Sequence, residues 1–473
     1  MGIRYLVLDK RIIESTTNAK LSVTTAEKHS SNPLFGEDNP WEKRYDNLYA
    51  NVLYDEQDKL YKSWYSPFIV DQSSRGIKIG ERQKKKYKPQ KGREMGVCYA
   101  TSQDGIVWEK PHLNLVEYEG SKKNNIVYRG PHGTGVIKDL REKDGAKRYK
   151  IFTSTHSSIS DQIPKMAKMA VSFSSDGIEW GPLSHCPEIN PYHVDGTHYN
   201  TLWVEELGEW VGFTRMRDKQ EIGSAPMKKR HGAWPPRQIG RTTSQDYLKW
   251  SQAVPVMEGL DENLQIYSMP VFRHGSVFLG LPVIHNQRSD RAWTELAWST
   301  DTVEWHRVCP GSPLIGNSDP IGSYDWGCAY SSAYPILLDN EIRLYYGASN
   351  GLHFGWRDGF LCLATLRPDG YAGYEQKSDK KSASVTTTSF EYRGGEFQLS
   401  ADVQSVGSVI VKLFDKANEQ LIAESETIEE TVTDGVVKWQ NGFSINTVKD
   451  TAVCMKFIIN AAKLYSFGFD LID

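Results

Sequence analysis

Three aspartates and a histidine-rich segment carry the residue types best suited to chemistry. Asp46 stands in Tyr45-Asp46-Asn47, Asp139 closes Val136-Ile137-Lys138-Asp139, and Asp195 lies in His193-Val194-Asp195-Gly196-Thr197-His198. Carboxylates gathered around one bond can cleave a glycosidic link: a protonated one gives its proton to the leaving oxygen, while an ionised one activates water or attacks the anomeric carbon. A third can raise its neighbour's proton affinity or bind a hydroxyl. His198 offers a further acid or hydrogen-bond donor. Together with His193 and Asp195 it has metal-ligand chemistry, but His-x-Asp-x-x-His is not a specific ligand pattern, and no metal is expected. Trp41, Tyr45, Trp234 and Trp326 have flat faces suited to sugar C–H bonds, and His193 and Asp325 complete the candidate substrate-binding set. The competing reading is structural: Asx turns for Asp46 and Asp195, a wall hydrogen bond for His198, and inter-sheet packing for the tryptophans.

These residues can meet only if the elements carrying them are equivalent. A recurring phrase supplies the ruler: Ser102-Gln103-Asp104-Gly105-Ile106-Val107-Trp108, Ser174-Ser175-Asp176-Gly177-Ile178-Glu179-Trp180, Ser244-Gln245-Asp246-Tyr247-Leu248-Lys249-Trp250 and Ser299-Thr300-Asp301-Thr302-Val303-Glu304-Trp305, with a worn copy at Arg367-Pro368-Asp369-Gly370. Internal repetition of this kind is a strong guide to architecture. Ahead of each copy runs a strand, a polar turn and a second strand, as in Tyr45–Tyr54, Asp55–Lys59 and Leu60–Tyr65, followed by a third strand. The phrase is then the turn from the third strand to the outermost. Five such units of about four strands predict a five-bladed β-propeller. Asp46 and Asp195 fall at comparable positions before the turns of the first and third units, so with Asp139 they are expected to converge on one funnel. Long connections at 71–93 and 215–238 are expected over one face.

The polar stretch at 375–382 opens a different texture of alternating strands, read as a β-sandwich. The expected division is 1–40 as N-terminal strands packing on the C-terminal domain, 41–380 as the propeller and 381–473 as the sandwich, an all-β chain. Fourteen Trp, 24 Tyr and 39 Gly suit short strands and tight turns. A formal charge of -3 gives no whole-chain reason to expect nucleic acid, and the basic run Lys84-Lys85-Lys86-Tyr87-Lys88 reads as a solvated loop. No apolar stretch reaches transmembrane length, so no membrane-spanning contact is expected. The opening residues read as a strand rather than a signal peptide, which fits a cytoplasmic protein or a mature exported one. The six cysteines lack metal-ligand spacing and read as buried free thiols.

The Ser-x-Asp-Gly-x-x-Trp turns, Tyr45-Asp46-Asn47 and Ile137-Lys138-Asp139 resemble the five-bladed glycoside hydrolase superfamily of invertases, fructanases, arabinanases and xylosidases. The ending Leu464-Tyr465-Ser466-Phe467 is similar to that of members with an appended sandwich. The resemblance implies that Asp46 is the first-blade nucleophile or base and Asp139 the supporting aspartate. The superfamily takes its acid, a glutamate, from the third blade, where this chain presents Asp195 and His198. A related propeller family uses a histidine acid, which His198 would parallel. The invertase Trp-Met-Asn-Asp-Pro motif is absent, and fructan is not the expected substrate. The expected activity is hydrolysis of a plant or algal oligosaccharide without a cofactor. A non-catalytic carbohydrate-binding propeller and a polysaccharide lyase using His198 as base are the alternatives.

Overall fold

The computed structural model describes residues 3–78, 80–85, 87–88, 92–155, 169–189, 197–217, 236–417 and 419–470. Among the described residues the regular structure is β-strand with short 3-10 turns, and no helix is long and apolar enough to cross a membrane. Four sheets stand by themselves as antiparallel meanders. The first runs Asn51–Asp55, Leu60–Tyr65, Glu94–Ser102 and Ile126–Arg129, with Pro67–Val70 and Arg44–Tyr45 added beside Glu94–Ser102. The second runs Pro131–Lys138, Tyr149–Thr155, Met169–Ser174 and Ser184–His185; the third, Asn200–Val204, Glu209–Arg217, Arg237–Ser244 and Val254–Glu258. The fourth comprises Val271–His274, Val277–Gly280, Leu296–Ser299 and His306–Val308. Each exposes apolar faces that a neighbour covers: Phe152 and Met169 of the second sheet pack with Trp210 and Met216 of the third.

The repeated phrase forms the turn after each third strand. Asp104 Oδ1 accepts the backbone N–H groups of Ile106 and Val107, both at 2.8 Å, and Asp176, Asp246 and Asp301 do the same for their successors. The tryptophan folds back: Trp180, Trp250 and Trp305 donate from Nε1 to the carbonyls of Gly177, Tyr247 and Thr302. These aspartates satisfy turn backbone, as Asx side chains do.

The expectation of five blades is corrected. Cys328–Ser331, Ile342–Ser349 and Gly359–Leu366 do not close a four-stranded sheet of their own. They belong to an eight-stranded sheet that continues through Arg291–Thr294 and Val283–Asn286 to Leu264–Ser268, and on the other side takes in Glu27–Lys28. The change of sheet falls at Pro282, between the strands Val277–Gly280 and Val283–Asn286. Proline ends a strand by removing its N–H, and here the chain leaves the fourth sheet to form the hairpin 283–294. That hairpin crosses to pair in parallel at Ala292↔Cys328. The result is four separate blades and one larger mixed sheet.

The expected C-terminal sandwich is also corrected. Glu396–Asp415 and Thr451–Asp470, 20 residues each, pair along almost their full length within one ten-stranded sheet. Register shifts between Ser400 and Ala401 and between Val403 and Ser408 bend these strands, so one sheet coils over into a barrel-like form around Phe397, Phe457 and Phe467. At the bend Gly407 lies so close to Ala461 that a Cβ would stand 2.3 Å from its carbonyl oxygen. N-terminal strands join this sheet: Ile3–Leu6 pairs with Thr451–Asp470, Ile13–Thr17 with Ala383–Thr387, and Ala19–Val23 with Ala372–Gln376. The worn repeat ties the parts together, since Asp369 accepts from His274 Nε2 and Arg4 Nη1, each at 2.7 Å, and from Ser466 Oγ at 2.6 Å. All six cysteines are unpaired.

Candidate functional site

Asp46 lies between the short strand Arg44–Tyr45, which pairs with Pro67 and Phe68, and the innermost strand of the first sheet. Leu48 and Tyr49, in the connection, sit at φ +63° and +49°, a sparsely populated conformation for residues with side chains. The kink leaves the Asp46 carboxylate 20% exposed between two buried guanidinium groups. Arg357 Nη2 reaches Oδ1 at 2.9 Å and Arg44 Nη2 reaches the same oxygen at 3.1 Å. Both ion pairs fall on Oδ1, and Oδ2 has no hydrogen-bond partner among the described residues. Burial works to raise the proton affinity of Asp46, but Arg44, Arg357, His132 and Arg93 outweigh it and hold the carboxyl below its ordinary value.

Arg357 is the organiser. Its Nε and Nη2 donate to the Asp46 carbonyl at 3.1 and 2.6 Å, Nη2 also to Asn47 Oδ1 at 2.9 Å, and Nη1 to the carbonyls of Leu352 and His353. One planar side chain thus locks the Asp46 segment to the 352–357 loop, a task that needs the arginine fork. Arg44 is held from the other side by Asp71, 3.4 Å from its Nε, and lies over the rings of Phe68 and Tyr87.

A polar network extends from this pair. Asn47 Nδ2 donates to the Tyr49 and Tyr267 hydroxyls at 2.7 and 3.0 Å. Arg215 and Arg237 lie over the Tyr267 ring, 4.6 and 5.2 Å from its centroid. His353 accepts or donates at 2.6 Å with the Tyr330 hydroxyl and packs 4.3 Å from the His285 ring. Burial first, then His285 and the arginines 357, 237 and 215, holds His353 well below the ordinary histidine range. His198 is likewise buried, with Nε2 3.3 Å from Asn51 Oδ1, and desolvation pushes its pKa down to about 3. The imidazole at this site is therefore neutral at pH 7.

The structure brings Asp46 and His198 to one end of the inner strands and leaves Asp139 at the other. Asn51, at the start of its strand, is bonded to the Thr134 carbonyl and the Val136 N–H, while Lys138 Nζ reaches Asp55 Oδ1 at 2.7 Å at the far end. The two strands therefore run side by side in one direction. From Asn51 to Asp55 is about 13 Å at about 3.3 Å per residue. Asp46 precedes that span and Asp139 follows it, held in the turn by Lys150 at 3.3 Å and Arg141 at 3.4 Å. Trp41 is buried and donates to Asn125 Oδ1 at 2.7 Å; Tyr45 is buried with its hydroxyl on Glu42 at 2.7 Å. Asp325 is buried against Lys28 at 2.5 Å and the Tyr346 hydroxyl at 3.0 Å. Trp326 is half-buried beneath Arg291, 5.0 Å from its ring centroid. His193, Asp195 and Trp234 lie outside the described residues. No group of three His, Cys, Asp or Glu is placed to hold a metal ion among the described residues.

Sequence reasoning passed over Arg44, Asn51, His132 and Arg357. Arg44 directly precedes the Tyr45-Asp46-Asn47 motif, and Arg357 stands in Gly355-Trp356-Arg357-Asp358-Gly359, a charged residue in a glycine-flanked segment. Those settings were the available signal.

No family model matches the chain, and no curated protein matches it. Solved structures similar to it include an N-acetylgalactosamine deacetylase from F. plautii in complex with blood group B trisaccharide, at 16% identity over 73% of this chain and 95% of that one, TM-score 0.46. A glycosyl hydrolase from Bacteroides ovatus is 14% identical over 73% and 95%, TM-score 0.44. The catalytic domain of a Coprinopsis cinerea α-L-arabinofuranosidase is 11% identical over 72% and 97%, TM-score 0.42. The resemblance drawn from sequence to the five-bladed invertase and arabinanase superfamily is corrected by the sheets themselves: among the described residues the blades that stand alone number four.

Proposed function

We propose that this chain is a glycoside hydrolase in which Asp46 is the ionised carboxylate that activates water or attacks the anomeric carbon, and Asp195 gives the proton to the leaving oxygen. The state of Asp46 carries this reading. One oxygen is fixed by two guanidinium groups, the other has no partner among the described residues, and the surrounding cations keep the group charged. A base or nucleophile needs that state; an acid needs the opposite one. His198, neutral with a pKa near 3, suits a hydrogen-bonding role better than proton donation at neutral pH. Asp195 is the carboxyl that the chain supplies two residues before Thr197, whose hydroxyl is bonded to the Tyr267 carbonyl beside this network. A carboxyl brought near the Asp46 charge has its proton affinity raised, which is the property of an acid.

The proposed substrate is an oligosaccharide. Trp326, and the His193 and Trp234 segments, are the proposed contacts with it, whereas buried Trp41, Tyr45 and Asp325 support the site from behind. Residues 41–380 form the proposed catalytic body, with 1–40 and 381–473 supporting it. Replacing Asp195 by Asn tests the acid: cleavage of glycosides with poor leaving groups falls steeply, while activated aryl glycosides retain much of their rate. Equal losses on both would sink the assignment. A lyase is the weaker reading, since an imidazole whose pKa is pushed down to about 3 is a poor proton acceptor; an unsaturated product absorbing in the ultraviolet would replace hydrolysis with elimination.

A further inference from the structure

Tyr87, within the basic run read from sequence as a solvated loop, is anchored beside the site. Tyr87 packs edge-on against Trp356, with ring centroids 4.8 Å apart, and Arg44 lies 4.4 Å over its ring. Its hydroxyl accepts from Arg93 Nη1 at 2.8 Å. Arg93 in turn lies 4.9 Å over the Phe68 ring, so Arg44 and Arg93 both flank Phe68 next to Asp46. Lys84, Lys85 and Lys88, neighbours of Tyr87 in sequence, are exposed.

Charge and geometry single out Arg93 within this group. Arg44 is engaged by Asp46 and Asp71, and Arg357 by Asp46 and four further acceptors. Arg93 is half-buried and its one hydrogen bond uses Nη1. The Nε–Nη2 edge has no partner among the described residues, and neither atom is shut off from solvent. That edge is the arginine fork that matches a carboxylate with two parallel hydrogen bonds. Arg11 uses the same edge in this molecule, reaching Asp9 through Nε at 3.1 Å and Nη2 at 2.8 Å.

We propose that Arg93 is a specificity-determining residue that binds the carboxylate of an acidic sugar placed against Asp46, so that the substrate is a uronic-acid-containing oligosaccharide. The Phe68 ring under the guanidinium and the Tyr87 hydroxyl, whose ring is braced edge-on by Trp356, hold the guanidinium plane, and exposed Lys84, Lys85 and Lys88 supply a positive approach. The inference rests on Asp46 being the reacting carboxylate, but it concerns which sugar is presented, and the two are separable by experiment.

The test uses the full chain and oligouronides from pectic, alginate and glucuronan chains, each paired with its neutral carboxyl-reduced counterpart, and a sulfated neutral oligosaccharide as a third arm. The expected result is a preference of at least about tenfold in kcat/KM, or in Kd by calorimetry, for one acidic member over its reduced form, matching about 1.4 kcal/mol. That preference collapses towards unity in Arg93→Gln, is partly kept in Arg93→Lys, and falls with added salt in the wild type. Equal handling of acid and neutral forms by the wild-type protein overturns the proposal without touching Asp46. Preference for the sulfated arm also overturns it, in favour of sulfate recognition. An acid preference that survives in a folded Arg93→Gln protein assigns recognition elsewhere and overturns it as well. Binding of uronides without turnover, lost on Arg93 substitution, upholds this inference while the hydrolase reading fails.

Discussion

Replacing Asp46 with Asn separates chemistry from architecture at one atom. Asparagine keeps a carbonyl oxygen where Oδ1 now accepts from Arg357 and pairs with Arg44, and exchanges the charge and the second carboxylate oxygen for an NH2 group. Arg357 retains the Asp46 carbonyl at 2.6 Å, Asn47 Oδ1 at 2.9 Å and the Leu352 carbonyl at 3.1 Å, so its burial stays compensated. The stability cost is then the difference between a charge-assisted and a neutral hydrogen bond, about 1–2 kcal/mol. The fall in Tm stays under about 8 °C, since even a domain of about 150–250 residues shifts by only about 2–4 °C per kcal/mol. Activity responds on another scale, because removing the base or nucleophile costs about 10²–10⁴ in kcat. The assay is reducing-end release from a cleavable oligosaccharide, with thermal unfolding in parallel. In the wild type the acid limb of kcat/KM lies below about pH 3.9, because the depressed Asp46 stays ionised under the ordinary aspartate range and loses activity only as protons finally bind. A folded Asp46→Asn enzyme with rates within tenfold of wild type would refute the reasoning.

Three further outcomes follow from the same geometry. His198 binds a proton near pH 6.5 when unfolded and near 3 when folded, so stability is intact above 6.5 and falls with acid at about 1.4 kcal/mol per pH unit between those values. His198→Gln removes this slope in urea unfolding across that range, and an unchanged slope would exclude the buried neutral imidazole. Arg357→Lys keeps a charge but loses the fork, and is expected to cost about 3 kcal/mol and to lower kcat/KM together, read by denaturant unfolding and kinetics; wild-type values in both would remove Arg357 as organiser. Gly133 sits at φ +66° with its hypothetical Cβ 1.5 Å from the Thr197 carbonyl oxygen. Alanine there should cost more than about 2 kcal/mol by thermal unfolding, and full tolerance would mean that Pro131–Lys138 does not approach Thr197 as described.

Much of the strand order was legible because the Asp-to-Trp turns are local chemistry: an Asx side chain satisfying backbone two and three residues on reads the same in sequence and in space. The eight-stranded sheet was not legible. Its joining contact, Ala292 to Cys328, pairs segments with no shared motif, and nothing in the sequence around Pro282 announces that a hairpin leaves its sheet there. The same holds at the C-terminal end, where alternating runs suggested two layers but bulges let the same two strands serve both. At the site, Asp46 was visible from its motif, yet its charge state depends on Arg44, two positions before it, together with Arg357, 311 positions away. Asp139 shows the converse: an aspartate ending an apolar run looks alike at either end of a strand, and strand direction alone decides which face it serves.

The pairing of Ile3–Leu6 with the strand ending at Asp470, and of Glu27–Lys28 with Thr365 and Ala364, sets an order of assembly. Neither the eight-stranded nor the ten-stranded sheet can be completed by neighbours in the chain, so both wait for segments made hundreds of residues apart. Loop-closure entropy must be met before those contacts form, which makes such topologies slow to fold. During synthesis the early strands at 3–28 therefore remain with open edges until the last sheet emerges, and a nascent chain of this kind has particular need of chaperone protection against edge-to-edge pairing.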